Sequence, residues 1–338
     1  MKRVLVSGGA GYIGSHTVIE LLAEGFEVVI VDDFSNSNPE VIKRLAKITG
    51  KAIPLEQVDL TDKPALRKVF DKYSFDAVIH FAGFKAVGES VSKPLEYYRN
   101  NLVSTLNLCE LMDEFKVRQM VFSSSATVYG DPDTVPITES AAIHATNPYG
   151  QTKVMIEQIL KDWVTGNPEL RVTCLRYFNP VGAHESGQIG EGPNGIPNNL
   201  LPYVSQVAVG KLDKVRVFGN DYDTPDGTGV RDYIHVVDLA KGHVAALQHM
   251  PAPGQWAAYN LGTGRGISVL AVIKAFEQAS GRKIPYEIVD RRPGDIAACY
   301  AEPAKAQDEL EWQATKTFEE ACADAWRWQS QNPDGFKP

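Results

Sequence analysis

Short runs of aliphatic and β-branched residues alternate with stretches of helical apolar spacing along the first half of the chain. Strands buried on both faces are predicted at Arg3–Val6, Glu27–Val31, Ala77–His80, Met120–Phe122 and Arg171–Leu175. Helices are predicted at Ile13–Ala23, Leu66–Lys72, Leu95–Phe115 and Tyr149–Val164. This alternation predicts an α/β protein with a Rossmann-type, doubly wound parallel sheet, whose ligands bind at the carboxyl ends of the strands.

The pattern changes after Asn179. Residues 182–199 are rich in Gly, Pro and Asn, and residues 220–229 form a second polar stretch. A strand-plus-helix pattern returns at Asp232–Leu247. We therefore expect two domains. The first, a dinucleotide-binding domain, comprises residues 1–178 plus about 232–262, and a smaller mixed α/β C-terminal domain comprises residues of about 179–231 plus 263–338.

Composition limits the partners of this chain. Its 34 basic and 42 acidic residues give a net charge of −8, and no Lys/Arg run offsets that charge, so nucleic acid is not an expected partner. Any anionic ligand must instead meet a few locally placed arginines. The 4 cysteines are scattered without metal-ligand spacing, so no metal site is expected. The absence of a signal-like or membrane-spanning apolar run predicts a cytoplasmic protein without a membrane partner.

A glycine motif follows the first predicted strand. Gly8, Gly11 and Gly14 open the first helix, where glycine allows a tight turn and a close approach of pyrophosphate to the backbone. At the end of the second strand, Asp32 is suited to bind the adenosine ribose hydroxyls. Asp32 and Asp33 would repel a 2′-phosphate, so NAD is predicted rather than NADP. Asp59, after the next strand, is either an adenine contact or an ordinary turn carboxylate.

Tyr149 and Lys153 are one turn apart at the start of a predicted helix, after Asn147 as N-cap and Pro148 at the first helical position. A phenol with a pKa near 10 is a poor base, and lowering that pKa by roughly 3 units requires about 4 kcal/mol. An ammonium about 5–6 Å away supplies roughly 3 kcal/mol at an effective dielectric near 20. We therefore expect Lys153, helped by cationic NAD, to make Tyr149 a base near neutral pH.

Three successive serines, Ser123–Ser125, end another predicted strand at the same edge of the sheet. One of these hydroxyls could relay a proton between a sugar hydroxyl and Tyr149. With these three motifs together, the chain resembles the extended short-chain dehydrogenase/reductases, and more narrowly their UDP-glucose 4-epimerase family. The resemblance extends over nearly the whole chain and includes the segments 80–90, 123–130, 176–183, 195–200 and 229–235.

The resemblance implies a site for NAD, a site for a UDP-hexose, and catalysis by Tyr149 as the base, Lys153, and Ser125 at the sugar hydroxyl. With the glycine motif, the implied NAD-binding residues are Gly8, Gly11, Tyr12, Ile13, Gly14, Asp32, Asp33, Phe34, Ser35, Asn36, Ser37, Asp59, Leu60, Phe81, Ala82, Gly83, Phe84, Lys85, Asn100, Tyr149, Lys153 and Phe178. The implied substrate contacts are Ser125, Tyr149, Asn179, Asn199, Leu200, Arg216, Val217, Phe218, Arg231, Arg292, Asp295 and Cys299. Arg231 and Arg292 would supply the local positive charge for a diphosphate.

The activity implied by the resemblance is the reversible 4-epimerisation of UDP-galactose and UDP-glucose through a 4-keto sugar and transient NADH. The family is also usually a homodimer built through helices of the first domain. Members restricted to unacetylated sugars usually carry a tyrosine beside the C2 substituent, where this chain places Cys299. A small thiol predicts additional turnover of UDP-N-acetylglucosamine and UDP-N-acetylgalactosamine, unless Tyr300 occupies that place instead.

Several alternatives remain open from the sequence. UDP-N-acetylglucosamine 4-epimerisation could be the main activity. A nucleotide-sugar 4,6-dehydratase is disfavoured because the turn Ser125–Thr127 lacks the two carboxylates that water elimination needs. A decarboxylase acting on UDP-glucuronate and a C5 epimerase are equally disfavoured. A non-catalytic NAD-binding regulator would not need Tyr149, Lys153 and Ser125.

Overall fold

The computed structural model describes residues 2–193, 195–292 and 294–337. Strands within these residues are β1 (Arg3–Ser7), β2 (Glu27–Val31), β3 (Leu55–Glu56), β4 (Ala77–His80), β5 (Gln119–Ser123), β6 (Arg171–Tyr177), β7 (Asn179–Val181), β8 (Val215–Phe218), β9 (Val230–His235), β10 (Gln255–Leu261), β11 (Gly266–Ser268), β12 (Tyr286–Val289) and β13 (Ala298–Cys299). The α-helices are α1 (Tyr12–Ala23), α2 (Glu40–Thr49), α3 (Lys63–Lys72), α4 (Val87–Ser92), α5 (Pro94–Glu114), α6 (Pro148–Gly166), α7 (Leu200–Ala208), α8 (Val236–Gln248), α9 (Val269–Ser280), α10 (Ala304–Leu310) and α11 (Phe318–Gln331).

The main sheet of the described chain has seven strands in the order β10-β6-β5-β4-β1-β2-β3, and all its neighbouring strands are parallel. The order reverses between β1 and β4, which is the point where ligands bind in open α/β sheets. This arrangement confirms the predicted α/β class and the doubly wound sheet. It also places the ends of β1, β2, β4 and β5 along one edge.

Alternate residues of the buried strands pack into two separate apolar layers, one on each face of the sheet. Val4 and Val6 of β1 pack in the layer that includes α1 and α8, whereas Leu5 between them packs in the layer that includes α3 and α5. All three residues are fully buried. Because both faces are covered by helices, a continuous β-branched run is stable here, which explains why the hydrophobic pattern identified these strands so well.

The second domain is built around smaller sheets. Strands β7, β9, β11 and β13 form one of them, β8 pairs with β12, and α7, α9 and α11 pack into a separate apolar cluster. The carboxylate of Asp232 in β9 joins three segments, because it accepts hydrogen bonds from the backbone N–H groups of Thr263 (2.9 Å), Gly264 (3.1 Å) and Ala301 (3.1 Å). The small domain is therefore held together by a buried carboxylate as well as by apolar packing.

The chain returns to the first domain with α8, which packs on α1, and then β10 joins the edge of the main sheet beside β6. The expected boundary at about residue 232 falls inside β9, which belongs to the small sheet. No helix in the described parts of the chain is both long enough and apolar enough to cross a membrane.

Candidate functional site

A cleft of about 1430 Å³ opens at the carboxyl edge of the main sheet. The glycine turn after β1 and the ends of β2, β4 and β5 form its floor. Its rim comes from residues 190–193, 195, 196, 198 and 199 of the second domain and from residues 328, 329 and 332–337 of the C-terminal segment. The cleft therefore lies between the two domains, in the place that the parallel sheet predicts for a ligand.

The glycine turn brings the backbone close to itself and to the neighbouring strand. Gly8 has a φ of +71°, and a Cβ atom there would lie 2.8 Å from the backbone nitrogen of Ala82. A Cβ atom on Gly14 would lie 2.2 Å from the Gly8 carbonyl oxygen. Helix α1 starts after Gly11 with no side-chain cap, so its first N–H groups face the cleft and can bind phosphate oxygens.

Asp32 directly follows β2, and its carboxylate is buried at the edge of the cleft. One oxygen accepts from the Ala10 N–H (2.9 Å), and the other accepts from the Phe34 N–H (3.0 Å) and the Ser37 hydroxyl (2.7 Å). Burial raises the pKa of Asp32. The carboxylate thus organises the turn after β2 in addition to the ribose contact that the sequence predicts. These features, with the uncapped helix start, fit a dinucleotide without a 2′-phosphate.

Most of the residues predicted to bind NAD line the cleft. Its lining includes Gly8, Gly11, Tyr12, Ile13, Gly14, Asp32, Asp33, Ser35, Asn36, Ser37, Asp59, Leu60, Phe81, Ala82, Gly83, Phe84, Lys85, Asn100, Tyr149 and Lys153. Phe34 and Phe178 are not part of this lining. Phe178 is buried in an apolar cluster with Val128, Tyr129 and Ile137, so its side chain is packed in the core and away from the cleft.

Helix α6 carries the predicted tyrosine and lysine into the cleft. The Asn147 side chain caps the helix by accepting from the Gly150 N–H (2.9 Å), and Pro148 occupies the first turn, as expected. The ammonium nitrogen of Lys153 lies 5.8 Å from the centre of the Tyr149 ring. It donates a hydrogen bond to the Ser123 carbonyl (2.8 Å) and lies 4.6 Å from the centre of the Phe122 ring.

Burial dominates the electrostatics of this pair. Burial raises the pKa of Tyr149 well above its usual value, with a smaller contribution in the same direction from Tyr177, and Ser125 acts in the opposite direction. Burial lowers the pKa of Lys153 to about 8. Within the chain these shifts favour the neutral phenol, and the expectation that Lys153 together with cationic NAD makes Tyr149 a base near neutral pH stays a prediction.

The three serines after β5 have separate roles. Ser123 donates to the Tyr177 hydroxyl (3.3 Å), and Ser124 donates to the buried carboxylate of Glu157 (2.6 Å). Ser125 begins a one-turn 3₁₀ helix, and its oxygen accepts from the Thr127 N–H (3.2 Å) and hydroxyl (2.9 Å). Ser125 is the one of the three serines that lowers the pKa of Tyr149. Its role at the sugar hydroxyl stays a prediction.

The arginines predicted to bind the substrate lie in the second domain. Arg231 in β9 pairs with Cys299 in β13. Burial raises the pKa of Tyr233 to about 12, and Arg231 and Arg292 act in the opposite direction. Arg292 also lies over the Phe218 ring, with 4.5 Å from its central carbon to the ring centre, and forms an ion pair with Asp295 (2.8 Å). Among the described residues that line the cleft, neither of these arginines is present.

The other residues predicted to bind the substrate differ in their exposure to solvent and in their contacts. Asn199 precedes Leu200 at the start of α7 and donates to Glu191 (3.0 Å) on the rim of the cleft. Asn179 is exposed at the start of β7. Arg216 is solvent-exposed and lies 3.6 Å from Glu287. Val217 is fully buried in the core of the second domain, so its side chain cannot contact a ligand, and that prediction is wrong for the side chain.

Several residues that line the cleft were not predicted from the sequence. Tyr177 ends β6 at the carboxyl edge, Glu191 forms part of the rim, and the segment 328–337 closes the cleft from the second domain. Only Tyr177 carried a signal, because it lies in a motif beside a predicted strand end. The described residues contain no group of three His, Cys, Asp or Glu side chains placed to hold a metal ion.

Comparison with known proteins agrees with this geometry. A family model described as "GDP-mannose 4,6 dehydratase" matches residues 5–325. The UDP-glucose 4-epimerase of Bacillus subtilis is 61% identical over 99% of this chain and 98% of its own length. The human UDP-glucose 4-epimerase is 56% identical over 99% of this chain and 98% of its own length. This chain belongs to the UDP-glucose 4-epimerase family.

A solved structure of the same family supports the assignment of the cleft. The Bifidobacterium longum UDP-glucose 4-epimerase, in complex with NAD+ and UDP, aligns with a TM-score of 0.96 and 56% identity. The alignment covers 99% of this chain and 100% of that chain. The family predicted from the motifs is confirmed, and so are the fold and the dependence on NAD.

Replacing Gly14 by alanine tests the phosphate-binding turn. The added methyl group would meet the Gly8 carbonyl oxygen, so we expect the affinity for NAD to fall at least about tenfold, or about 1.4 kcal/mol. Isothermal titration with NAD after removal of bound nucleotide measures this change. The matched control is Gly166→Ala, because no atom lies within 4 Å of the methyl group that it adds. Unchanged affinity of the Gly14 variant would contradict the assignment of the turn.

Proposed function

We propose that this chain interconverts UDP-galactose and UDP-glucose by inverting the configuration at C4 of the hexose. The observation that carries the proposal is the location of Tyr149 and Lys153 in the same cleft as the glycine turn and Asp32. The Bifidobacterium longum relative with NAD+ and UDP supports both halves of this site. The chain is an NAD-dependent isomerase of this family.

The chain's residues have distinct tasks in this reaction. When bound, NAD supplies a hydride acceptor that can return the hydride to the opposite face of the sugar. Tyr149 takes the proton from the 4-hydroxyl and gives it back, and Ser125, which faces the phenol, can relay that proton. Lys153 holds a positive charge 5.8 Å from the phenol ring centre, where it favours the ionised form.

Inversion also requires that the nucleotide and the hexose are held differently. Arg231 and Arg292 are suited to grip the diphosphate through charge-assisted hydrogen bonds, with Asn179 and Asn199 as additional polar contacts. A hexose that must present both faces to the dinucleotide needs few fixed contacts of its own. Firm binding of UDP therefore keeps the sugar in the site while it turns.

Replacing Tyr149 by phenylalanine tests the proton transfer. The variant keeps the ring and loses the hydroxyl, so we expect kcat to fall by roughly 10²–10⁴-fold. NAD and UDP binding should stay within about twofold, because the backbone turn and the arginines are unchanged. The assay is conversion of UDP-galactose to UDP-glucose without added cofactor. The matched control is Tyr286→Phe on the exposed side of β12.

The same assay separates the alternatives. Wild-type conversion of UDP-galactose supports the epimerase. A 4-keto-6-deoxy product would indicate a dehydratase of the family that the matching model describes. Binding of NAD without any turnover would favour a non-catalytic regulator and would contradict the proposal.

The sugar specificity is a finer proposal, and it depends on Cys299. This residue pairs with Arg231 and packs against the apolar cluster of Phe178, whereas the Tyr300 ring is the near neighbour of Gly266 in β11. Cys299 ends β13 and Tyr300 follows it, and the two side chains have different neighbours. We propose that the thiol leaves room beside C2 of the hexose, so that UDP-N-acetylgalactosamine and UDP-N-acetylglucosamine are also interconverted.

Replacing Cys299 by tyrosine tests this specificity. The larger ring should fill the space beside C2, so we expect turnover of UDP-N-acetylgalactosamine to fall at least about tenfold while turnover of UDP-galactose changes less than about threefold. Cys299→Ala is the control and should keep both activities. Mass analysis of the products measures both reactions. Absence of acetylated-sugar turnover by the wild type would contradict the proposal.

The partner and the location remain proposals as well. Helices α4, α5 and α6 lie together and expose large apolar side chains, among them Val91 (65% exposed) and Leu95 (78% exposed). We propose that this face forms a homodimer, since isolated proteins rarely expose such side chains together. The four free cysteines favour the reducing cytoplasm.

Replacing Leu95 by glutamate tests the dimer. A charge in the apolar interface should convert a dimer to a monomer at micromolar concentration, because a buried unpaired carboxylate is strongly unfavourable. Sedimentation equilibrium measures the mass. The control is Ile288→Glu, which changes a comparably apolar side chain, 47% exposed, on β12 of the second domain. A monomeric wild type would contradict the proposal.

A further inference from the structure

A buried carboxylate lies on α6 one turn beyond Lys153. Glu157 accepts from the Ser124 hydroxyl (2.6 Å) and forms a two-pronged pair with the Arg176 guanidinium, whose shortest distance is 2.6 Å. Both members of the pair are nearly inaccessible to solvent. The carboxylate therefore connects α6 to β6 and to the turn after β5, all of which border the cleft.

Lys153 and Glu157 together hold the serine turn. The Lys153 ammonium donates to the Ser123 carbonyl (2.8 Å), and the Glu157 carboxylate accepts from the Ser124 hydroxyl. Two successive residues of the turn are thus bonded to side chains one turn apart on α6. The next residue, Ser125, is the one that faces Tyr149. Its position depends on both bonds.

The negative charge of Glu157 also acts on Lys153. The titratable and charged groups around Lys153 are Tyr149 and Glu157 on α6, His80 on β4, and Cys174, Arg176 and Tyr177 on β6. Burial lowers the pKa of His80 to about 3 and raises the pKa values of Cys174, Tyr149 and Tyr177. The Arg176 guanidinium is paired with Glu157, so the charge of Glu157 acts on Lys153 beside that cation. The Glu157 carboxylate raises the pKa of Lys153 and opposes the larger effect of burial.

We propose that Glu157 is a positioning residue for the epimerisation: it keeps Lys153 protonated and holds the serine turn in place for Tyr149. This inference rests on the proposed function. Glu157 reaches the reaction through Lys153 and Ser124, since Ser124 and Arg176 occupy its two oxygens. The bond to Arg176 keeps the carboxylate in one position relative to both.

The variant Glu157→Gln removes the charge and keeps an oxygen that can accept the Ser124 hydrogen bond. Without the nearby anion, the ammonium of Lys153 loses its proton at lower pH. The alkaline limb of the kcat profile should therefore move down by about one pH unit, which corresponds to a tenfold change in the protonated fraction of Lys153. KM for UDP-galactose should stay within about twofold. An unchanged pH profile would overturn the role of the charge.

The variant Ser124→Ala is the matched comparison, because it removes the bond to the turn and keeps the charge of Glu157. We expect kcat to fall severalfold without movement of the alkaline limb. This variant also tests the proposal if the Glu157→Gln chain does not fold. A Ser124→Ala enzyme with wild-type kcat would overturn the role of the serine turn.

A readout that does not depend on turnover separates this inference from the proposed function. Titration of ¹³C-labelled lysine by NMR, with the signal assigned through Lys153→Arg, follows the protonation of Lys153 directly. We expect its midpoint to fall by about one pH unit in Glu157→Gln. A wild type without epimerase activity would contradict the proposed function and leave this titration interpretable. An unchanged midpoint would overturn the inference even in an active enzyme.

Discussion

The buried ammonium of Lys153 is the constraint around which the centre of the structure is arranged. Removing a lysine charge from water is costly, and burial lowers the pKa of this group to about 8. The protein compensates with the Ser123 carbonyl, the face of the Phe122 ring and the carboxylate of Glu157. These groups come from β5 and α6, so the packing of α6 against the end of β5 determines how the ammonium is accommodated.

The two domains present different groups to an anion. The first domain offers backbone N–H groups at the start of α1, which require close approach and therefore glycine at positions 8 and 14. The second domain offers the guanidinium groups of Arg231 and Arg292 near an aromatic face. A hydrogen bond from the Tyr12 hydroxyl to the Gly182 carbonyl (2.7 Å) joins the two domains directly beside the cleft. The reacting sugar would thus be bounded by a rigid backbone site and a side-chain site at a fixed separation.

Much of the first domain could be predicted because its strands are buried on both faces and its motifs follow those strands directly. Strand β2 was predicted with its observed limits, and the helix cap at Asn147 was visible as a local signal. Helix α2 was not predicted. A strand was expected before Asp59 but its limits were not, since a two-residue strand such as β3 has no periodicity to recognise. The sequence also could not show that β9 pairs with β11 and β13, because that pairing joins residues distant along the chain.

The residues of the site were predicted better than the pKa values of their side chains. The glycine turn, Asp32, Tyr149 and Lys153 were identified from spacing alone, and they line one cleft. The desolvation that raises the pKa of Tyr149 could not be predicted, because nothing in a local spacing reports burial. For the same reason Phe178 and Val217, which lie in motifs, turned out to be core residues.

The order in which the chain is synthesised has a consequence for the cleft. Its floor begins at Gly8, while Trp328 and Phe336 lie on its rim and Arg44 of α2 packs over both rings and donates to Asn332. A nascent chain can therefore form the parallel sheet long before the wall that encloses the nucleotide exists. The ribosome would release the protein with its phosphate-binding turn already shaped, and tight enclosure of the nucleotide would be among the last events of maturation.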